Sequence, residues 1–177
     1  MKNMKISKFL LSAALVLGVA TTAATHTATA WAHHGWSSFD TWHAYYVLGT
    51  VTYVRWGNPH SEITLKVDST KVPKGLKERV LPMGADERSA NATLASARPY
   101  AGEAKELRLV LAGPTWMEKW GLNRPLKEGE KIEVVGYLNS AEDHELRPMI
   151  FWLEDGQGVW QQLTALPQDP EPAPKSE

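Results

Sequence analysis

The stretch from Tyr45 to His60 constrains this chain most: Y-Y-V-L-G-T-V-T-Y-V-R-W-G-N-P-H reads as one long strand whose apolar face changes phase partway along. Val, Thr, Tyr and Trp suit a pleated, half-buried surface. Val47, Gly49 and Val51 share one face, yet the next inward candidates are Val54 and Trp56. An extra residue near Thr52-Tyr53, a β-bulge, restores the phase and bends the strand. A bent first strand that pairs on both sides is what closure of a small barrel demands. Gly57-Asn58-Pro59 then ends it in a turn, because Pro removes a ladder donor.

The rest of the chain supplies the partners. Glu62 to Asp68 alternates strictly, with Ile63, Leu65 and Val67 on one face, as a half-buried antiparallel strand does. Leu107, Leu109 and Leu111 repeat the pattern. Gly113-Pro114 opens a short helix, with Pro suited to its first position. Trp116 and Trp120 lie four apart on it, either as a plug for one barrel end or as an aromatic ligand platform. Ile132, Val134 and Leu138 mark a fourth strand, Glu142-Asp143-His144-Glu145 a turn, and Leu146 to Leu153 a fifth strand that is apolar on both faces. Five strands with one helix between the third and fourth give the OB-fold order, an all-β Greek-key barrel; an antiparallel β-sandwich is the alternative. Gly49, Val51, Ile63, Leu65, Leu107, Leu109, Ile132, Val134 and Ile150 are expected in one core. The interval from 69 to 105 is polar, Ala-rich and broken by Pro, and reads as a long loop insertion without a strong element.

The ends of the 177-residue chain have their own character. Lys2, Lys5 and Lys8 precede the apolar run Phe9 to Ala20, and small residues follow, the pattern of an export signal over residues 1–32. Cleavage after Ala32 exposes His33; the competing Ala28-Thr29-Ala30 site exposes Trp31. The expected location is periplasmic or secreted, with residues 33–166 as one domain and the Pro-rich segment 167–177 as a disordered tail. The leader takes three of the 19 basic residues and none of the 20 acidic ones, leaving a balance of −4. That disfavours a nucleic-acid partner. No stretch of the mature chain reaches the ~20 apolar residues of a spanning helix. Cysteine is absent, so no disulfide assists the core.

Five His remain after the leader, four of them within 28 positions: His33, His34, His43 and His60. A terminal His offers its amine and its imidazole to one ion, and a second imidazole completes an all-nitrogen set suited to tetragonal Cu(II). With cleavage after Ala30, Trp31-Ala32-His33 makes a square-planar copper site instead. His33 and His60 are the expected pair, with His34 and His43 as further candidates. Polar termini and turn-bonding histidines are the plainer alternative, and then the chain is a metal-free binding module for a protein partner or small ligand. A copper-dependent oxidase or oxygenase is the remote alternative. No catalytic residue is indicated, since G-x-S-x-G, P-loop, H-E-x-x-H and nucleophilic Cys are all missing from the sequence.

The His33-His34 start, the strand G-T-V-T-Y-V-R-W-G-N-P-H, the helix after Gly113-Pro114 and the turn L-K-E-G-E-K-I-E-V-V-G-Y together resemble an uncharacterised family of small exported bacterial proteins. The resemblance covers His33 to His60 and Gly113 to about Gly156, and Trp56, Asn58, Pro59 and His60 are its most specific part. It implies an OB-like barrel and export, and no activity. The 69–105 interval is longer here than in that pattern. Intact mass of the exported protein tests the processing: a chain beginning at His33 is expected, and a retained leader contradicts it.

Overall fold

A computed structural model of the chain describes residues 38–161. β1 (Tyr45–Arg55) and β2 (His60–Ser69) pair antiparallel, with Val51 opposite Leu65 but Tyr53 opposite Thr64. Thr52 is the extra residue. The bulge lies where the apolar phase slips, so Val47 and Val51 before it, and Val54 and Trp56 after it, all pack on the same core. β4 (Glu106–Ala112) pairs with β2, β5 (Lys131–Leu138) with β1, and β6 (Glu145–Leu153) with β5. A short parallel pairing of Arg108 with Glu145 and Leu109 with Leu146 joins β4 to β6. The ring β1-β2-β4-β6-β5 is thus closed. Because β1 pairs on both sides, the architecture is a five-stranded barrel of OB order rather than a sandwich.

Val47, Val51, Ile63, Leu65, Leu107, Leu109, Ile132 and Val134 converge inside it. Gly49 is buried among them for a steric reason, since a Cβ there would lie 2.6 Å from Leu65 Cγ. Ile150 departs from expectation. It belongs to a second cluster on the outer face, while its neighbour Phe151 points into the barrel. A strand apolar on both faces needs a cover on both, and here the cover is the interval read from sequence as a loop.

That interval folds. It contains a 3-10 turn at Leu76–Glu78, helix α1 (Glu87–Ser96) and the two-residue strand β3 (Arg98–Pro99) parallel to β1. Asp86 caps α1 by accepting from the Ser89 amide at 2.8 Å. Leu76, Ala90 and Leu94 are buried with Val135, Met149, Ile150 and Trp152. Thr93 is buried as well, its hydroxyl 3.2 Å from that of Tyr137. β7 (Gly158–Trp160) adds Trp160 to this outer layer.

Helix α2 (Pro114–Lys119) closes one end. Trp116 is 54% exposed, while Trp120, just past the helix and partly buried, packs against the barrel core, the two rings 5.7 Å apart. Met117, fully buried with Leu122 and Leu126, packs on the interior beside it. No helix among the described residues is long and apolar enough to cross a membrane.

If the insertion is part of one cooperative fold, Leu94→Ala and Leu109→Ala should each lower stability by ~2–5 kcal/mol in urea unfolding. An unchanged midpoint for Leu94→Ala would show that the outer layer unfolds separately.

Candidate functional site

Two of the four histidines singled out from the sequence, His33 and His34, lie outside the described residues. The other two, His43 and His60, sit at opposite ends of β1. His43 precedes the strand by two residues, and His60 opens the strand that pairs with its far end. β1 is 11 residues long, roughly 35 Å of strand path. Proximity in sequence therefore does not bring these rings together. Among the described residues, no group of three or more His, Cys, Asp or Glu is placed to hold a metal ion.

His60 stands in a turn whose residues have structural tasks. The Asn58-Pro59 peptide is cis. Ser61 is buried, and its hydroxyl bonds the Gly57 amide at 3.3 Å. Arg55 donates to the His60 carbonyl at 3.1 Å. Gly113, just before α2, presses against the turn so closely that a Cβ would fall 2.5 Å from Asn58 Oδ1 and 2.9 Å from the Pro59 carbonyl. The W-x-N-P-H element thus joins the β1–β2 turn to the start of α2.

His43 is built differently. Ser38 and Asp40 are pinned to the end of β5: the Ser140 amide donates to the Ser38 carbonyl at 2.6 Å, and the Asp40 amide to the Leu138 carbonyl at 2.9 Å. Between them Phe39, 6% exposed, joins the outer core under the Arg147 guanidinium at 3.9 Å. Phe39 therefore docks on the barrel wall, while Trp42 stays exposed. From this anchored stretch, Asp40 Oδ1 accepts from the Trp42 amide at 3.1 Å, and Oδ2 accepts from the Tyr45 hydroxyl at 3.0 Å. His43 Nδ1 lies 3.4 Å from the same Oδ2.

Burial alone would raise the Asp40 carboxyl, but the hydrogen bonds from Tyr45, Trp42 and His43 outweigh it and hold it below its ordinary value. Burial pushes the Tyr45 hydroxyl up, and its bond to Asp40 adds to this. The carboxylate is an acceptor only, so Nδ1 carries the proton toward it and Nε2 is left as the free lone pair of the neutral ring. A carboxylate that orients an imidazole in this way is the usual outer partner of a metal-binding His. Asp40 went unnoticed in the sequence. Its signal is the Asp-x-x-His spacing next to an Asx turn.

His144 lies in the β5–β6 turn, half exposed, 3.6 Å from Glu142 and 3.9 Å from Asp143. The same turn is locked by buried Glu145, which accepts from Arg108 at 2.8 Å and Asn139 at 3.1 Å. Phe39 forms a β-bridge with that Asn139.

Fold and site together define a small closed β-barrel protein with an ordered imidazole at the edge where its leading segment docks. Residues 20–78 of the chain match the model of a family of unknown function, DUF6152. That span takes in the docked segment with Asp40 and His43, both first strands and the W-x-N-P-H turn. No curated protein and no solved structure matches the chain.

Because Asp40 titrates below its ordinary range when folded, its contribution to stability is complete above that range and is lost as pH falls through the folded value. Thermal unfolding of wild type and Asp40→Asn should differ at pH 7, and the gap should shrink as pH falls below the ordinary carboxylate value of ~4. A gap that does not shrink with falling pH would show that the carboxylate charge is not the source.

Proposed function

We propose that the chain is an exported small β-barrel protein that binds Cu(II) through the imidazoles at the start of the mature chain, His33 and His34, together with His43. The observation that carries this reading is the Asp40–His43 contact, 3.4 Å from Oδ2 to Nδ1 with the His43 side chain 34% exposed. It leaves Nε2 as the available ligand atom on a ring whose orientation is already set, so little freedom is lost on binding. Chain reach supports the pairing. His34 is four residues from Ser38, whose carbonyl is bonded to β5, and four residues span at most ~14 Å. A tether this short holds a second imidazole at about millimolar effective concentration. His60 is a poorer partner than the sequence suggests, since all of β1 intervenes.

A copper titration on exported protein with its native terminus tests the assignment. Affinity should fall as pH drops, because the ligand form is the neutral imidazole. His43→Ala and Asp40→Asn should each weaken binding by about 10–100-fold, whereas His60→Ala should leave it unchanged. If His60→Ala weakens copper as much as His43→Ala, the pair expected from sequence is restored. If neither matters, the terminus chelates alone.

A second reading, a metal-free module for a small ligand, is favoured by a cleft of about 380 Å³ on the outer wall, lined by Leu48, Arg79, Val80, Glu133 and Trp152 among others. Its size is that of an ordinary small-molecule site. Arg79 Nη2 there already donates to both Glu133 oxygens, at 3.0 and 2.9 Å, and the guanidinium lies 4.7 Å from the Trp152 ring centroid, so any ligand meets a preset wall.

A further inference from the structure

The insertion carries a feature that goes beyond both readings, although Val80 also borders the cleft. Val80 is 90% exposed and Met83 84% exposed, the two most exposed large apolar side chains described. Their neighbours show that this is not slack in the loop. Val72, Leu76, Leu81 and Ala85 pack into the outer core, and Pro82 is buried against Gly158. Arg79 clamps the approach through Glu133 and Trp152. The loop is therefore tied down on both sides of the two residues it turns outward.

Along the insertion the exposed charge is mainly basic, although the cleft that Val80 borders holds Glu133, paired with Arg79, and Glu154, with Lys131. Lys71, Lys74 and Lys77 are exposed within ten residues of Val80. Glu78 is the sole acid between Lys71 and Gly84. Just outside, Asp68 is bonded by the Thr50 hydroxyl at 2.5 Å, and Asp86 caps α1. The segment from Lys71 to Gly84 is thus basic on a chain whose overall balance is acidic.

We infer that this tip docks the protein on the surface of an anionic lipid bilayer, with the lysines facing headgroup phosphates and Val80 and Met83 entering the boundary below them. Two considerations favour lipid over a protein partner. Cationic side chains beside exposed apolar ones are the composition of interfacial anchors. Two projecting side chains also fall far short of the ~800 Å² per partner that a standard protein interface buries. The mode is peripheral and needs no spanning segment.

Sedimentation with vesicles is the test, run with a chelator present so that the result is independent of the copper reading. Wild type should bind vesicles of phosphatidylglycerol mixed with phosphatidylcholine and should not bind phosphatidylcholine alone. Replacing Lys71, Lys74 and Lys77 by Gln should weaken binding by about 100-fold, about fivefold for each charge. Val80→Ser with Met83→Ser should weaken it at least tenfold. All five positions are exposed, so the unfolding midpoint should not move. The chain has no cysteine, so Met83→Cys takes a single polarity-sensitive fluorophore, whose emission should shift to the blue on the anionic vesicles. Wild type and variants are taken as exported protein with the same terminus, so their differences report the tip alone. Equal binding to both lipids, variants that bind like wild type, or an unshifted fluorophore would each overturn the proposal. So would capture of wild type by an acidic polypeptide surface without capture by the vesicles, which would make the partner a protein.

Discussion

Everything described here hangs on the seam where β4 meets β6. It is the shortest joint in the barrel, only two residue pairs long, and it is parallel, the weaker arrangement per residue. Arg108 reinforces it from the β4 side by reaching Glu145 at 2.8 Å, with Glu62 and Glu142 each 3.5 Å away. Glu145 is 6% exposed, and a carboxylate so buried needs compensation. Losing the Arg108 partner would take away its ion pair at 2.8 Å, a defect worth up to about 3–5 kcal/mol. Asn139 shares the Glu145 carboxylate, so the same contact that closes the barrel also fixes the β5–β6 turn. Onto that turn Ser38, Phe39 and Asp40 are hung, and Asp40 in turn orients His43. Closure and the candidate ligand are thus links of one chain of contacts.

How much of this was legible in the sequence follows from the range of each signal. The phase slip at Thr52-Tyr53 is local, and it marked the bulge. The strict alternation of Ile63, Leu65 and Val67 is local too. The doubly apolar run from Met149 to Leu153 implied a second buried face, but without stating what covers it. The cover was hidden because α1 contributes little apolar surface: among its buried residues only Leu94 is large and aliphatic. Its Asp86 cap was readable, yet in an Ala-rich polar stretch a cap without an apolar stripe does not separate helix from loop. Ile150 was misplaced by the same omission, since with one core in view an inward residue has only one place to go. In the six-residue α2, Met117 takes the fully buried position, and of the two tryptophans only Trp120 packs on the core.

The histidines show a different limit. His43 and His60 look like a cluster in one dimension, and the 11-residue strand between them turns that cluster into two distant points. Composition counted the imidazoles correctly, but only pairing decides which are neighbours. Asp40, which gives His43 its orientation, is an ordinary turn aspartate until Tyr45 and Trp42 are seen converging on its carboxylate. The insertion tip has the opposite character. Val80 and Met83 are unremarkable in sequence and acquire meaning only because the residues beside them are buried.

On the proposed copper reading, the metal-presenting imidazole belongs to the docked leading segment rather than to the W-x-N-P-H turn. Adding substoichiometric Cu(II) to uniformly 15N-labelled exported protein at neutral pH reads this directly, because the paramagnetic ion broadens amide resonances near it. Selective broadening of Asp40 to Tyr45, with Gly57 to Ser61 left sharp, is the predicted result. Broadening centred on Gly57 to Ser61, or sparing both stretches, would contradict it.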